Sequence, residues 1–121
     1  MEKLCAIRDI CRSISEYESE FQKVHSLCLN EGMILCSLKE GRLSSGEIAS
    51  KLSLTCSNTS KLLRSVEEKS LIERDLGEKD KRQMYFTLTK EGKKTLKSIE
   101  NDNIALPESL FLLTYPPSLL T

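Results

Sequence analysis

The stretch LSSGEIASKLSLTCSNTSKLLRSV, residues 43–66, predicts two short helices that are joined by a tight turn. Ser44 and Glu47 have the spacing of a capping box, in which the Ser44 hydroxyl accepts from the Glu47 amide and the Glu47 carboxylate accepts from the amide of Ser44. A second helix start follows a few residues later, where either Thr55 or Ser57 can act as the cap. The residues between the two helices form the turn.

The second of these helices has one inward side and one polar side. Residues at helical spacing predict the buried face, which is formed by Thr59, Leu62, Leu63 and Val66. The opposite side carries short polar groups near the helix start and cations further along, namely Ser57, Asn58, Ser60, Lys61 and Arg64. Short polar groups can hydrogen-bond to base edges and cations can contact phosphates, so this side has the composition of a DNA-reading surface.

The period of the pattern changes from helical to alternating after Leu71. Residues 72–76 and 84–88 predict two strands, and the charged segment 77–83 predicts the tip of the hairpin between them. Thr89 then caps a further helix. A helix, a turn, a second helix and a charged hairpin are the order of a winged helix-turn-helix, in which the second helix enters the major groove and the hairpin, or wing, reaches the adjacent backbone or minor groove. The predicted fold class is mainly α with a small antiparallel β-hairpin.

A long helix is predicted upstream, over residues 1–28, because apolar residues from Leu4 to Cys28 recur in steps of three and four. A helix of about 25 residues extends roughly 37 Å, which is longer than a domain of this size is wide. We therefore expect part of its apolar stripe to pack on a second subunit. Asn30 is predicted to cap the next helix and Gly41 to stop it, and its buried face is formed by Ile34, Leu35 and Leu38.

These patterns divide the 121 residues into three parts within one domain. Residues 1–28 form the dimerisation helix, and residues 29–100 hold the winged helix-turn-helix with the start of a C-terminal helix. Residues 101–121 form an atypical apolar tail, in which three prolines interrupt any long helix. The expected assembly is a homodimer built from terminal helices.

Charge is distributed unevenly along a chain whose formal net charge is zero. Residues 55–97 carry 11 basic and 7 acidic groups, a net charge of +4, whereas residues 98–121 carry 0 basic and 3 acidic groups. Positive charge is thus concentrated around the predicted helix-turn-helix and wing, where phosphate contacts release counterions. The start of the chain lacks the basic and apolar regions of a signal peptide and no apolar run spans a bilayer, so we expect a cytoplasmic protein without membrane contact.

The chain resembles the MarR (multiple antibiotic resistance regulator) family over residues 29 to about 98. The resemblance rests on an ordered set of motifs: Leu43-Ser44-Ser45-Gly46-Glu47-Ile48-Ala49, Thr59-Ser60-Lys61-Leu62-Leu63, Leu71-Ile72-Glu73-Arg74, Asp80-Lys81-Arg82 and Leu88-Thr89-Lys90-Glu91-Gly92. Each motif alone is weak, but the ordered set is specific. Two features depart from the family: Ser70 stands where the family usually turns on Gly, and residues 101–121 do not resemble its long C-terminal helix.

The resemblance implies a bacterial transcription regulator that binds a pseudo-palindromic duplex site as a homodimer and acts as a repressor. It implies that Arg82 enters the minor groove and that Asp80 buttresses the tip of the wing. It also implies a small-molecule effector, which this family often binds between the dimer helices and the DNA-binding lobe. The predicted DNA-binding residues are Ser57, Asn58, Ser60, Lys61 and Arg64 of the helix, and Lys79, Asp80, Lys81 and Arg82 of the wing.

Alternative interpretations remain for some of these features. A winged helix can serve as a protein-interaction module without binding DNA, and Cys5 with Cys11 could make the chain a thiol-based redox sensor. His25 and Cys28 share one helix face and could supply two metal ligands, although a surface histidine and a core thiol are the more common outcome. One histidine, no glycine-rich phosphate loop and no nucleophile with an evident base predict no enzyme activity, and we expect no cofactor and no metal.

Overall fold

The computed structural model describes residues 2–76 and 84–107, which fall into two units, residues 27–102 and residues 2–26 with 103–107. The first unit holds most of the helices and the sheet. Its elements in chain order are α2 (Leu29–Ser37), β1 (Leu43–Ser44), α3 (Ser45–Leu52), α4 (Cys56–Glu68), β2 (Ile72–Leu76), β3 (Met84–Leu88) and α5 (Lys90–Glu100). The second unit contains the helix α1 (Lys3–His25). The core residues of the first unit include Ile34, Leu35, Ile48, Leu63, Val66, Ile72, Phe86 and Leu96.

The helix starts of α3 and α4 depend on side-chain caps. Ser44 accepts from the Glu47 amide at 3.2 Å, and the Glu47 carboxylate accepts from the Ser44 amide at 3.0 Å, so the predicted capping box is present. Of the two candidate caps for α4, the structure uses Thr55, whose hydroxyl accepts from the Asn58 amide at 3.1 Å. These caps satisfy amides that a helix start leaves without partners, and they set where each helix begins.

The bounds of α2 differ from the prediction at both ends. Its cap is Cys28 instead of Asn30, and the Glu31 carboxylate accepts from the Cys28 amide at 3.0 Å. The helix ends at Ser37, before Gly41, whose φ of 148° places it in the loop that leads to β1. Asparagine is a strong cap by composition, but the first helical turn is set here by the carboxylate of Glu31. The predicted inward residues Ile34, Leu35 and Leu38 are all buried.

The sheet has three antiparallel strands in the order β1-β3-β2, one strand more than the predicted hairpin. The hairpin itself has the predicted strands, with Ile72 opposite Leu88 and Leu76 opposite Met84. The additional strand β1 pairs Leu43 with Phe86 and therefore ties the residues just before α3 to the centre of the sheet. Two residues leave no periodic signal, which is why the sequence did not reveal this strand.

The first turn of α5 packs closely against the backbone of Leu71, the residue just before β2. Thr89 caps α5 by accepting from the Gly92 amide at 2.9 Å, and its own amide donates to the Leu71 carbonyl at 3.0 Å. A side chain at position 92 would collide with that same carbonyl oxygen, so Gly92 is required by close packing. Ser70 makes the corner before Leu71 with a φ of 62°, a left-handed conformation that glycine adopts more readily than other residues.

The helix α1 presents large apolar side chains to solvent. Leu4 is 77 % exposed and Val24 is 57 % exposed, and Ile7 and Ile14 on the predicted stripe are exposed as well. At the other end of the chain, residues 102–107 form neither helix nor strand, and residues 108–121 of the predicted apolar tail lie outside the described residues. None of the helices within residues 2–76 and 84–107 combines the length and the apolar character that a bilayer crossing requires.

Candidate nucleic-acid interface

The outer side of α4 carries the polar residues that the sequence predicted for it. Thr59, Leu63 and Val66 are buried, and Leu62 is half-buried. The predicted DNA-reading residues of this helix are all exposed: Ser57, Asn58, Ser60, Lys61 and Arg64. Among the described residues, no side chain pairs with Asn58, Lys61 or Arg64. This face is therefore available to an external partner along the first three turns of α4.

A buried carboxylate connects α4 to α2. Glu31 on α2 is 5 % exposed, and it accepts from the Ser65 hydroxyl at 2.9 Å and from the Lys69 ammonium at 2.8 and 3.0 Å. Burial by itself would raise the pKa of Glu31, but the hydrogen bonds from Lys69, the Cys28 amide and Ser65 outweigh burial and hold that pKa below its ordinary value. The ionised carboxylate thus holds the C-terminal half of α4 on α2.

Sequence reasoning did not identify Glu31. Its spacing of three residues from Cys28 is a local signal, because that is where a carboxylate returns to a helix cap. The contact with Lys69 joins residues that are 38 positions apart. No pattern in a single sequence identifies such a pair, so only its capping half could have been predicted.

A second ion pair crosses the sheet at the base of the wing. Arg42 lies just before β1, and its guanidinium is 3.2 Å from the Asp75 carboxylate on β2. The same guanidinium lies over the ring of Tyr85 on β3, 4.6 Å from its centroid. Asp75 and Tyr85 are register partners in the hairpin. Arg42 therefore contacts both strands of the hairpin from the start of β1, and it holds the strands from which the wing extends.

The tip of the wing, with Lys79, Asp80, Lys81 and Arg82, lies outside the described residues. The strands on either side of it are described, and their last pair is Leu76 with Met84. Further back on β2, Arg74 donates to the Glu67 carboxylate on α4 at 2.8 Å. The hairpin is thus connected to the end of α4 by an ion pair, and the contacts of the four tip residues with DNA stay a prediction.

The candidate metal site gains no support from the described residues, and the redox alternative stays a prediction. Across residues 2–76 and 84–107, no group of three His, Cys, Asp or Glu side chains is arranged to hold a metal ion. His25 packs against the ring of Phe21 within α1, with 4.7 Å between ring centroids. All five cysteines are free thiols. Burial, aided by the nearby charge of Glu31, raises the pKa of Cys28, so this thiol is a poor nucleophile at neutral pH.

Comparisons with known proteins agree with this architecture. The model of the MarR family matches residues 27–84. The Staphylococcus aureus MepR–DNA complex is similar with a TM-score of 0.79 and 22 % identity, over 99 % of this chain and 90 % of that one. AbsC, a MarR family transcriptional regulator from Streptomyces coelicolor, has a TM-score of 0.76 and 22 % identity, over 98 % of this chain and 84 % of that one.

YusO from Bacillus subtilis is similar as well, with a TM-score of 0.70 and 22 % identity, over 97 % of this chain and 84 % of that one. A comparison with curated protein sequences found no match. The TM-scores show that this chain shares the fold of these three structures.

Proposed function

We propose that this chain, whose residues 27–84 match the model of the MarR family, is a transcription regulator that binds duplex DNA as a homodimer. The observation that carries the proposal is the outer face of α4. Asn58 near the helix start is suited to base edges, and Lys61 and Arg64 are suited to phosphates or guanine acceptors. Serines 57 and 60 add short hydrogen-bonding groups beside them.

The wing supplies the second part of the proposed contact. We assign Lys79, Asp80, Lys81 and Arg82 to it, with Arg82 in the minor groove and Asp80 fixing the direction of the guanidinium. The ion pair of Arg42 with Asp75 supports this assignment, because it stabilises the strands that present the tip. The similar MepR structure is a complex with DNA, and this likeness supports a DNA-binding role for the present chain.

The exposed stripe on α1 supports the homodimer. Leu4, Ile7, Ile14 and Val24 are large apolar side chains with exposed fractions above two fifths, and such a row is typical of an interaction surface. A second copy of the same helix would cover it. Two copies would present two α4 helices to half-sites about one helical turn apart on a pseudo-palindrome.

The proposed protein acts in the cytoplasm, and it acts as a repressor. A dimer bound to a promoter would block transcription by occupying the site. A small ligand would regulate the dimer by binding more tightly to one of two spacings of the α4 helices. A reporter gene placed behind the selected site tests the direction: repression requires expression to rise when the regulator is deleted. Expression that falls on deletion would contradict it.

The experiment that tests the proposal is selection from random duplex DNA, followed by analytical ultracentrifugation of the protein alone and with the selected site. We expect a palindromic consensus, a dimer in solution and one dimer per site. Affinity should fall steeply with salt, because phosphate contacts release counterions. A monomer without preference for any duplex would contradict the proposal and favour the protein-interaction module.

A further inference from the structure

The outer side of α5 carries four exposed lysines, which together form the α5 lysine stripe: Lys90, Lys93, Lys94 and Lys97. Their spacings of three and four residues place them on one side of the helix. Gly92 and Leu96 are buried on the opposite side. The stripe is about 10 Å long, because a helix rises roughly 1.5 Å per residue.

Electrostatic interactions within α5 disfavour this stripe. Cations three or four residues apart on a helix repel each other, and Lys90 lies in the first turn, where the helix dipole disfavours positive charge. Lys94 is 3.8 Å from Glu91, but the two side chains of this pair are 68 % and 66 % exposed. Within residues 2–76 and 84–107, no carboxylate pairs with the other three lysines of the stripe. The described residues therefore leave a concentration of positive charge without matching anions.

The stripe and the DNA-reading side of α4 face in different directions. Both α4 and α5 pack against α2, whereas, among the described residues, α4 and α5 make no comparable contact with each other. Each helix buries its inner side, which includes Leu63 and Val66 on α4 and Leu96 on α5. Because the two helices share α2 as a neighbour and do not lie side by side, their outer sides diverge. A duplex that contacts the outer side of α4 therefore leaves the stripe open.

We propose that the α5 lysine stripe binds the phosphate backbone of a second duplex DNA segment while α4 occupies the first. One DNA strand places about three phosphates along 10 Å, because its phosphates follow one another at roughly 3.4 Å along the duplex axis. The four ammonium groups of the stripe cover the same length. Their contacts release counterions that are condensed on the duplex, and they carry no sequence preference because they do not reach base edges.

The composition of α5 favours a duplex over a single strand as the partner. Proteins that bind single strands stack the bases on aromatic side chains, and α5 has no aromatic residue between Lys90 and Glu100. The inference rests on the proposed function, because a regulator bound at its site is surrounded by other segments of the same DNA. A dimer that holds one segment with its α4 helices and another with a stripe connects the two segments.

The test is a bridging assay with the full chain. Duplexes that contain the selected site are fixed to beads and saturated with protein, and a fluorescent duplex that lacks the site is then titrated in. We expect the beads to retain the second duplex only when protein is bound. Its affinity should fall roughly 40-fold between about 50 and 200 mM salt, as expected for about three phosphate contacts with a salt slope of about 0.9 each.

Two variants with all four lysines replaced identify the stripe as the contact. The Lys→Gln variant at positions 90, 93, 94 and 97 removes the charge and keeps a residue of similar helix propensity. We expect it to bind the selected site as the parent does and to bind the second duplex about tenfold or more weakly. The Lys→Arg variant at the same positions keeps the charge and should retain the second duplex, so a loss confined to Lys→Gln is an effect of charge.

The outcomes separate this inference from the proposed function. Equal retention of the second duplex by the parent and the Lys→Gln variant would overturn the inference and leave the proposed function. An equal loss of affinity for the selected site would place the stripe on the first duplex, and stronger competition by single-stranded RNA than by unlabelled duplex would assign it to RNA. Each of these results overturns the inference as well. Charge-dependent retention of duplexes by a chain that selects no site would contradict the proposed function and leave the contact of the stripe.

Discussion

The Glu31 carboxylate on α2 lies 2.8 Å from the Lys69 ammonium at the end of α4, and the Glu31 side chain is nearly inaccessible to water while that of Lys69 is partly exposed. The two residues join the helix that carries the candidate DNA-reading face to the helix behind it. Ser65 shares the same carboxylate. The orientation of α4 therefore depends on a charge that the core holds in place.

Glu31→Gln should lower the free energy of unfolding by about 1–3 kcal/mol, because the amide loses the charge-assisted bonds to Lys69 and Ser65. Urea denaturation followed by circular dichroism measures the change. Glu20→Gln is the matched control, since Glu20 forms an exposed pair with Lys23, and exposed pairs contribute within about 1 kcal/mol. An equal loss of unfolding free energy in both variants would show that the buried Glu31 pair stabilises the fold no more than an exposed pair does.

Glu31 also predicts a dependence of stability on pH. Its pKa in the folded protein is lowered, so the unfolded chain binds the proton first as pH falls. The contribution of ionised Glu31 to the free energy of unfolding is complete above the ordinary pKa of a glutamate. It is lost as the pH falls through the lower pKa that Glu31 has in the folded protein. Urea midpoints measured between about pH 6 and pH 3 should therefore fall more steeply in the parent than in Glu31→Gln. Parallel curves would contradict the assignment.

Gly92→Ala should destabilise the fold by about 1–3 kcal/mol, although alanine is the better helix former, because the new methyl group meets the Leu71 carbonyl oxygen. Gly46→Ala provides the control. Its added methyl group would lie 4.0 Å from the nearest atom, the Ser44 hydroxyl oxygen, within the first turn of α3. We expect that control to be neutral or stabilising by up to about 1 kcal/mol in thermal denaturation. A stable Gly92→Ala variant would mean that α5 can move away from Leu71.

Ser70→Gly should stabilise the protein by about 0.5–1 kcal/mol. Ser70 has a φ of 62°, a conformation that costs an L-residue about 1–2 kcal/mol and that glycine adopts without this cost. The greater freedom of glycine in the unfolded chain offsets part of the stabilisation. Ser50→Gly in the interior of α3 should instead lose roughly 0.5 kcal/mol. The midpoints of chemical denaturation of the two variants should thus move in opposite directions, and a loss in Ser70→Gly would contradict the inference from φ.

Two substitutions separate base reading from phosphate contact. Asn58→Ala should change the preference among sites by about 1–3 kcal/mol at one base position, whereas Arg82→Ala should weaken most sites alike and lower the salt slope by about one. Fluorescence anisotropy with the selected site and single-base variants measures both. Lys23→Ala, an exposed lysine of α1, serves as the control. If both variants bind as the parent does, the site assignment is wrong.

The sequence predicted most of the elements and the exposed side of α4, because those features have local causes. Ser44 is a cap that can be identified within four residues, Thr55 was one of two candidates for the next cap, and the burial of Leu63 follows from helical spacing alone. Features that depend on distant residues were missed or misplaced. The start of α2 was also misplaced, at Asn30, although the signal there is local: the Glu31 carboxylate lies three residues after the cap Cys28.

The same distinction applies to the contacts around the candidate site. Arg42 reaches Asp75 across the central strand, and Glu31 on α2 reaches Lys69 at the end of α4. Both pairs join residues more than thirty positions apart, and no local pattern in the sequence indicates either pairing. The exposed residues of α4, in contrast, could be predicted, because helical periodicity defines the buried face and the remaining positions are the exposed ones.

Ser44 belongs at once to the sheet and to the cap of α3: it pairs with Tyr85 on β3 and accepts from the Glu47 amide. A hinge between the wing and the helix-turn-helix would have to break one of these two sets of bonds. The hairpin and α3 therefore form one rigid piece, and a rotation of either element carries the other with it.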